Sequence, residues 1–331
     1  MSNGIDDSVI WDALELAVRA PSIHNTQPWR FRLAPGAIEV RADRSRQLSA
    51  TDPHGRDLMI SCGCVLHHLL VALAAAGRRT VVRRLPNRED PDLVAVVEHS
   101  PAPPGTTPEA ELAEVIRRRR TDRRRMRSWP VPPEVIGEMI ELADSHGLTL
   151  TPITDPWLRW RLARAIAIAA EMQERDPAYA AEIATWTGRT DSVDGVPAAN
   201  APEPQAAPGR VPMRSFAHHT LADATDDEPE NAALLLLSTT TDSPLEWLRT
   251  GEVTSAILLT ATREGLASSP LTQPLEVDDT RSIVQERVLG SVWTHPQILL
   301  RLGWPRADAE ELPPTPRRPL SEVVESTEPS R

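Results

Sequence analysis

The residues Ala20-Pro-Ser-Ile-His-Asn-Thr-Gln-Pro-Trp-Arg-Phe31 gather groups that could hold a ligand. Pro21 and Pro28 stiffen the segment, and Trp29 can anchor it in a core. Ser22, Asn25 and Gln27 offer hydrogen-bonding side chains. An amide both donates and accepts, which matches the alternating N–H and C=O edge of a pyrimidine-like ring. The same residues also suit an ordinary helix-to-strand turn, and at this level both readings stand. A second concentration is Arg117 to Arg127, with eight Arg in eleven residues. Guanidinium forks suit phosphate oxygens, so this run reads as a phosphate site, a nucleic-acid patch or a solvated charged face. Arg317-Arg318 near the chain's end could close on the same anion.

Composition narrows these choices. The 331 residues carry 47 acidic and 36 basic side chains, a formal charge of −11, and every basic one is Arg. That balance, and the absence of aromatics within the Arg run, argue against a nucleic-acid module or an anionic-membrane binder. Two cysteines, Cys62 and Cys64, are too few for a disulfide framework. Together with His67 and His68 they could imitate a metal cluster. On one helix, however, residues 62 and 64 point to different faces and no second Cys pair exists, so core packing is the expected role. His218-His219 reads as exposed polar surface. The start, MSNGIDDSVIW, lacks a basic-then-apolar signal pattern. No uninterrupted apolar run approaches the ~18 residues of a spanning helix. A cytoplasmic protein with no membrane partner is expected.

The elements that must position these groups follow from periodicity. Ser8 to Arg19 carries apolar residues at helical spacing; Trp29–Leu33 and Ala37–Ala42 alternate around Pro35-Gly36 as a hairpin. Residues 57–76 are apolar on all sides, the pattern of a central buried helix. Strands are expected over Thr80–Leu85, Leu93–Glu98 and Ala232–Ser238. Helices are expected over Glu109–Arg119, Pro132–Ser145, 156–186 with a break near Asp176-Pro177, and 244–264. Thr187 to Gly209 lacks apolar periodicity and reads as a long loop, the kind that serves as a lid. Trp186 sits at its edge. Gly63 to Gly77 and Gly251 to Gly265 both span 14 residues, each pair framing a buried helix that ends before a strand. An internal duplication with a lid inserted in the second copy explains this, with copies at 1–108 and 109–331 and the lid at about 187–216.

APSIHNTQPWRF resembles the flavin loop of the FMN-dependent nitroreductases, and RTDRRRMRSWPVP resembles their phosphate motif. RRPLSEVV is similar to their C-terminal Arg before Pro-Leu-x-x-Val-Val, and ATREGLASSPLTQPLE to the Gly-x-x-Ser-x-Pro loop beside flavin N5. The motif order differs from the ordinary family. Here the first half holds the flavin loop and the second the phosphate motif, as in the fused, dormancy-associated Acg-type homologues of mycobacteria. The resemblance implies an α+β fold, two tandem half-repeats forming an intramolecular pseudo-dimer with antiparallel sheets and central helices. It implies one FMN between the halves, a monomer, and NAD(P)H-dependent two-electron reduction of nitroaromatics or quinones. The alternative it leaves is an FMN-sequestering store closed by the lid, with little or no nitroreductase turnover and no small-molecule substrate.

Carried over residue by residue, Pro21, Ser22, His24 and Asn25 match the loop that touches the ring and ribityl. Counting back from Pro130 places Arg120 and Arg124 on the two basic positions of the phosphate motif, with Asp122 and Met126 departing from its polar and aromatic positions. Arg317 matches the tail Arg, with Thr315 where a basic residue is usual and Arg318 as a substitute. Pro270, Leu271, Thr272 and Gln273 match the segment near N5. In such an enzyme the flavin does the redox chemistry, and no side chain is required as acid or base.

Overall fold

The computed structural model of the chain describes residues 3–102, 108–189, 192–203, 210–216, 218–223 and 228–325. Helix α1 (Asn3–Ala17) buries Ile10, Ala13, Leu14 and Ala17, the i, i+3, i+4, i+7 stripe of a core-facing helix. The hairpin β1 (Trp29–Ala34) and β2 (Ala37–Ala42) turns at Gly36, whose φ of +70° a glycine adopts without strain. Next come α2 (Arg56–Ala75), β3 (Arg78–Arg84), β4 (Leu93–Pro101), α3 (Pro108–Arg118) and α4 (Pro133–Ser145). They are followed by β5 (Thr149–Pro152), α5 (Pro156–Glu174), α6 (Pro177–Trp186) and a small ribbon of β6 (Thr187–Arg189) and β7 (Val196–Pro197). Then follow β8 (Ala233–Thr239), α7 (Pro244–Arg263), β9 (Ala267–Leu271), α8 (Gln273–Glu276), α9 (Asp278–Ile283), β10 (His295–Gly303), α10 (Leu320–Val323) and β11 (Val324–Glu325).

The larger strands form two sheets, one ordered β11-β1-β2-β4-β3 and the other β5-β8-β10-β9. All pairs in them are antiparallel except β11 on β1, where Val324 and Glu325 lie parallel to Phe31 and Arg32 at the edge of the first sheet. Both faces of the second sheet are covered. Leu235 and Leu237 belong to the cluster that includes α4 and α7, whereas Leu234 and Leu236 pack with Leu162 and Ile166 of α5. This double coverage is why β8 reads as an unbroken Leu run rather than an alternation.

Helices α2 and α7 join the two sheets' layers, and they touch backbone to backbone. A Cβ on Gly63 would lie 2.0 Å from the Leu248 carbonyl oxygen, and one on Gly251 would lie 2.0 Å from that of Ile60. The two glycines face each other at the crossing, so each half contributes the same device to one interface. The chain is an intramolecular pseudo-dimer of two related halves. Helix α2 has the length and apolar character to span a bilayer, with a mean hydropathy of 2.0, which the absence of a long uninterrupted apolar run did not anticipate. Here its apolar surface is used inside the protein, buried against α1, α3 and α7.

Candidate functional site

Helix α1 ends into the 20–28 loop, where His24, Asn25 and Gln27 adopt positive φ (43°, 54° and 50°). A loop this constrained needs internal ties. Gln27 N donates to Ser22 Oγ (3.0 Å), and Ile23 N donates to Ser61 Oγ on α2 (3.1 Å). Gln27 spends its amide on structure: Nε2 donates to the Val193 carbonyl (2.9 Å), and Oε1 accepts from Arg318 N (2.8 Å). Asn25 Nδ2 donates to the carbonyls of Gly195 (3.0 Å) and Pro316 (3.2 Å), leaving only Oδ1 unpartnered.

Pro21, Ser22 and His24 line a cleft that opens to solvent. Asp57, Ser61 and Cys64 of α2, Thr121, Arg123 and Thr254 add further walls. Opposite lies the strand-to-helix turn Ser269 to Pro274, including Pro270, Leu271, Thr272 and Gln273. The segment 210–216 closes one side through Pro212, Met213, Arg214 and Phe216.

That segment is fastened by a buried ion pair. Arg214 Nη2 donates to Glu276 Oε1 on α8 (2.5 Å), and Arg214 also donates to the hydroxyl of Tyr179 on α6. Burial pushes the Glu276 carboxyl up, but Arg214 outweighs it and holds the group ionised below its ordinary range. Burial raises Tyr179 to about 12. His24 is driven the other way, to about 3, by burial and then by Arg214, so its imidazole is neutral; its Nε2 has no partner. Arg123 lies over the Phe216 ring at 4.9 Å and donates Nη1 to the Asn200 carbonyl (3.1 Å). Burial and Arg214 lower it to about 10.

A second, basic cleft holds Arg19, Arg119, Arg120 and Arg317. Arg317 caps the end of α1, donating to the carbonyls of Val18 (3.0 Å), Arg19 (3.1 Å) and Ala20 (3.2 Å), a favourable place for a cation. Burial, Arg119, Arg19 and Arg120 lower Arg317 to about 9. Burial lowers Arg119 to about 10, and its Nε and Nη1 have no partner; nor has Arg120 Nε. Buried cationic donors left open beside one another favour an anion. Arg119 in this cleft is two residues from Thr121 in the larger cavity, a span of at most about 7 Å, and Arg123 follows two further on.

Of the residues singled out from sequence, Pro21, Ser22, His24, Pro270, Leu271, Thr272 and Gln273 meet in the larger cavity, and Arg120 and Arg317 in the basic cleft. Asn25 is buried behind the loop. Arg124 is engaged elsewhere, with Nη2 on Asp122 Oδ2 (2.8 Å), Nε on Asp122 Oδ1 (3.0 Å) and Nη1 on the Glu310 carbonyl (2.8 Å). Arg318 points to the Glu322 carbonyl (3.0 Å) and Asp43 (3.8 Å). Asp57, Arg119, Thr121, Arg123 and Arg214 were not singled out. For Arg119 and Arg123 the signal was present one residue before the positions counted from Pro130.

The other motifs are structural. Cys62 Sγ donates to the Pro28 carbonyl (3.3 Å) and Cys64 Sγ to that of Gly251 (3.2 Å). His67 and His68 both place Nδ1 2.8 Å from Ser255 Oγ. Among the described residues no group of three or more His, Cys, Asp or Glu could hold a metal ion.

No protein-family model matches the chain. Two Mycobacterium tuberculosis H37Rv proteins match it along nearly its full length. The one named "Putative NAD(P)H nitroreductase Rv3131" is 44% identical over 322 residues, covering 97% of this chain and 92% of its own. The one named "Putative NAD(P)H nitroreductase acg" is 36% identical over 324 residues, covering 96% of each. A crystal structure of the FMN-dependent nitroreductase NfnB from Mycobacterium smegmatis in complex with NADPH is similar at 18% identity and a TM-score of 0.41, over 66% of this chain and 99% of that one. With full-length identity of this order to its mycobacterial relatives, the chain belongs to the NAD(P)H nitroreductase family that they represent.

Proposed function

We propose that the larger cavity and the basic cleft together hold one FMN per chain, and that the protein uses it to pass two electrons from NAD(P)H to a nitroaromatic or quinone. The observation that carries this reading is the pair of open, buried donors on Arg119, beside Arg120 Nε and within two residues of the cavity wall. This donor set suits a phosphate. The flanking loops 21–24 and 270–273, with unpartnered His24 Nε2, suit a heterocyclic ring.

When bound, the flavin supplies the two-electron chemistry. The chain's own residues bind and orient. Arg119 and Arg120 take the phosphate as charge-assisted donors, and Arg317, fixed on the end of α1, adds positive potential. Arg123, kept cationic above the ring of Phe216, faces the cavity as a donor to a ring carbonyl. Neutral His24 offers its ring nitrogen without adding charge. Pro212, Met213 and Phe216 exclude water from the same space. We read the halves as meeting near residue 108 and the described parts of the 187–216 segment as the lid; residues 190–191 and 204–209 lie outside the described residues.

The fastening of Arg214 to Glu276 motivates a second reading, storage of FMN under a closed lid. Anaerobic addition of NADPH to the flavin-loaded protein separates the two. Prompt bleaching of the flavin band is expected for the reductase, and a loaded protein that stays yellow would favour storage.

A further inference from the structure

Among the described residues that line the cavity, one carries a carboxyl group. Asp57 sits in the first turn of α2 and is 2% exposed. Its Oδ1 accepts from Arg56 Nε (3.2 Å) and Nη2 (3.1 Å), while Oδ2 has no partner in the protein and Asp57 lines the cavity. The charged groups that act on it are Asp52 in the preceding loop, Arg56 beside it on α2, Glu276 from α8 and Arg214 from the 210–216 segment. Asp52 Oδ2 is itself occupied by Leu58 N (2.8 Å). Burial raises Asp57 to about 7 against the pull of Arg56, and Asp52 and Glu276 push in the same direction as burial.

The other titratable side chains of the cavity hold or lack their protons too firmly. Cys64 is raised to about 12, His24 is lowered to about 3, and Arg123 is lowered only to about 10. Arg214 is held charged by Glu276 despite its burial. Among the described cavity-lining residues, Asp57 is the one that can give up and regain a proton near neutrality.

We propose that Asp57 is a catalytic residue that delivers, from Oδ2, the proton a quinone oxygen needs when the quinone is reduced in this cavity. This rests on the flavin-reductase reading. The overall step is quinone + NAD(P)H + H⁺ giving hydroquinone + NAD(P)⁺. NAD(P)H supplies both electrons and one proton as a hydride equivalent, and the second proton comes from Asp57. The Asp57 O–H bond breaks, the new O–H bond forms on the quinone oxygen, and the carboxylate is reprotonated from water at the cavity mouth.

The test compares wild type, Asp57→Asn and Asp57→Glu by two readouts. The first is the infrared carboxyl signal of flavin-free protein between pH 5 and 9, wild type minus Asp57→Asn; a midpoint near 7 is expected. The second is the pH profile of kcat for a soluble benzoquinone with NADPH. Wild-type kcat should fall about tenfold per pH unit above that midpoint. Asp57→Asn should lower it by roughly a hundredfold below the midpoint and flatten the profile, and Asp57→Glu should restore the slope. A carboxyl ionised throughout, or an Asp57→Asn profile identical to wild type, overturns the proposal. A wild type that retains no visible flavin band overturns the flavin reading and this one together. A flavin band with an unaltered profile overturns the role of Asp57 alone.

Discussion

Replacing Gly63 with alanine tests the pseudo-dimer at its tightest point. The added Cβ would stand 2.0 Å from the Leu248 carbonyl oxygen and 2.8 Å from Gly251 Cα, whereas ordinary contact begins at 3.4 Å. The deficit is about 1.4 Å against backbone, which no rotamer change relieves. In an open helix the same change would stabilise by about 1 kcal/mol, through propensity. Overpacking costs about 1–3 kcal/mol and more when backbones must part, and separating α2 from α7 would loosen Ile60, Val253 and Ile257. The expected net loss is about 2 kcal/mol, a fall in Tm of about 3 °C given ~2.1 cal/mol/K of unfolding entropy per residue over 331 residues. Thermal denaturation followed by circular dichroism measures it. Gly137→Ala on α4, where nothing lies within 4 Å of the new Cβ, serves as the control and should gain about 0.5–1 kcal/mol. If Gly63→Ala unfolds at or above the wild-type temperature, the helices are not in the contact described.

Four further outcomes are expected. Arg119→Gln should weaken FMN binding by roughly ten- to a hundredfold, the value of charge-assisted hydrogen bonds of about 1.5–3 kcal/mol, without lowering the stability of the flavin-free protein, because it removes one of several crowded cations. Arg124→Gln, measured by the same fluorescence titration, should change affinity only a few-fold, since that side chain serves Asp122 and Glu310. Glu276→Leu strands buried Arg214 and should cost about 3–5 kcal/mol in urea denaturation, most of it recovered in Glu276→Leu/Arg214→Met; no recovery would show that the pair is not the fastening of the segment. Cys62 and Cys64, whose thiols are pushed up by burial, should react with a disulfide reagent only after unfolding, and fast labelling of the native protein would contradict their burial.

Much of this architecture is legible in the sequence, and what is hidden has physical causes. The all-apolar stretch of α2, the Leu run of β8 and the proline-framed loop before Trp29 carry their structure locally. The mid-helix glycines carry the duplication. By contrast, β10 is hidden in the sequence, because Arg301 interrupts its apolar pattern and is tolerated through Glu230, 71 residues away, and the Arg124 carbonyl (2.8 Å). The two residues of β11 have no strand signal of their own and become a strand through pairing with Phe31 and Arg32. In the site, the loop residues were readable because their types are rare together. The Arg run was ambiguous in register, since eight similar side chains cannot be told apart until some find carboxylates. Asp57 gave no signal at all, because a carboxyl's proton affinity is set by burial and by Arg56, Asp52 and Glu276, which the fold brings together.

The central claim is that the basic cleft is built for the phosphate of a flavin whose ring fills the adjoining cavity. The most direct measurement is the affinity of the flavin-free protein for FMN against riboflavin, titrated side by side. One FMN per chain, bound at least a hundredfold more tightly than riboflavin, with that preference abolished by Arg119→Gln, is the predicted result. Equal affinity for the two, or binding of neither, would contradict it.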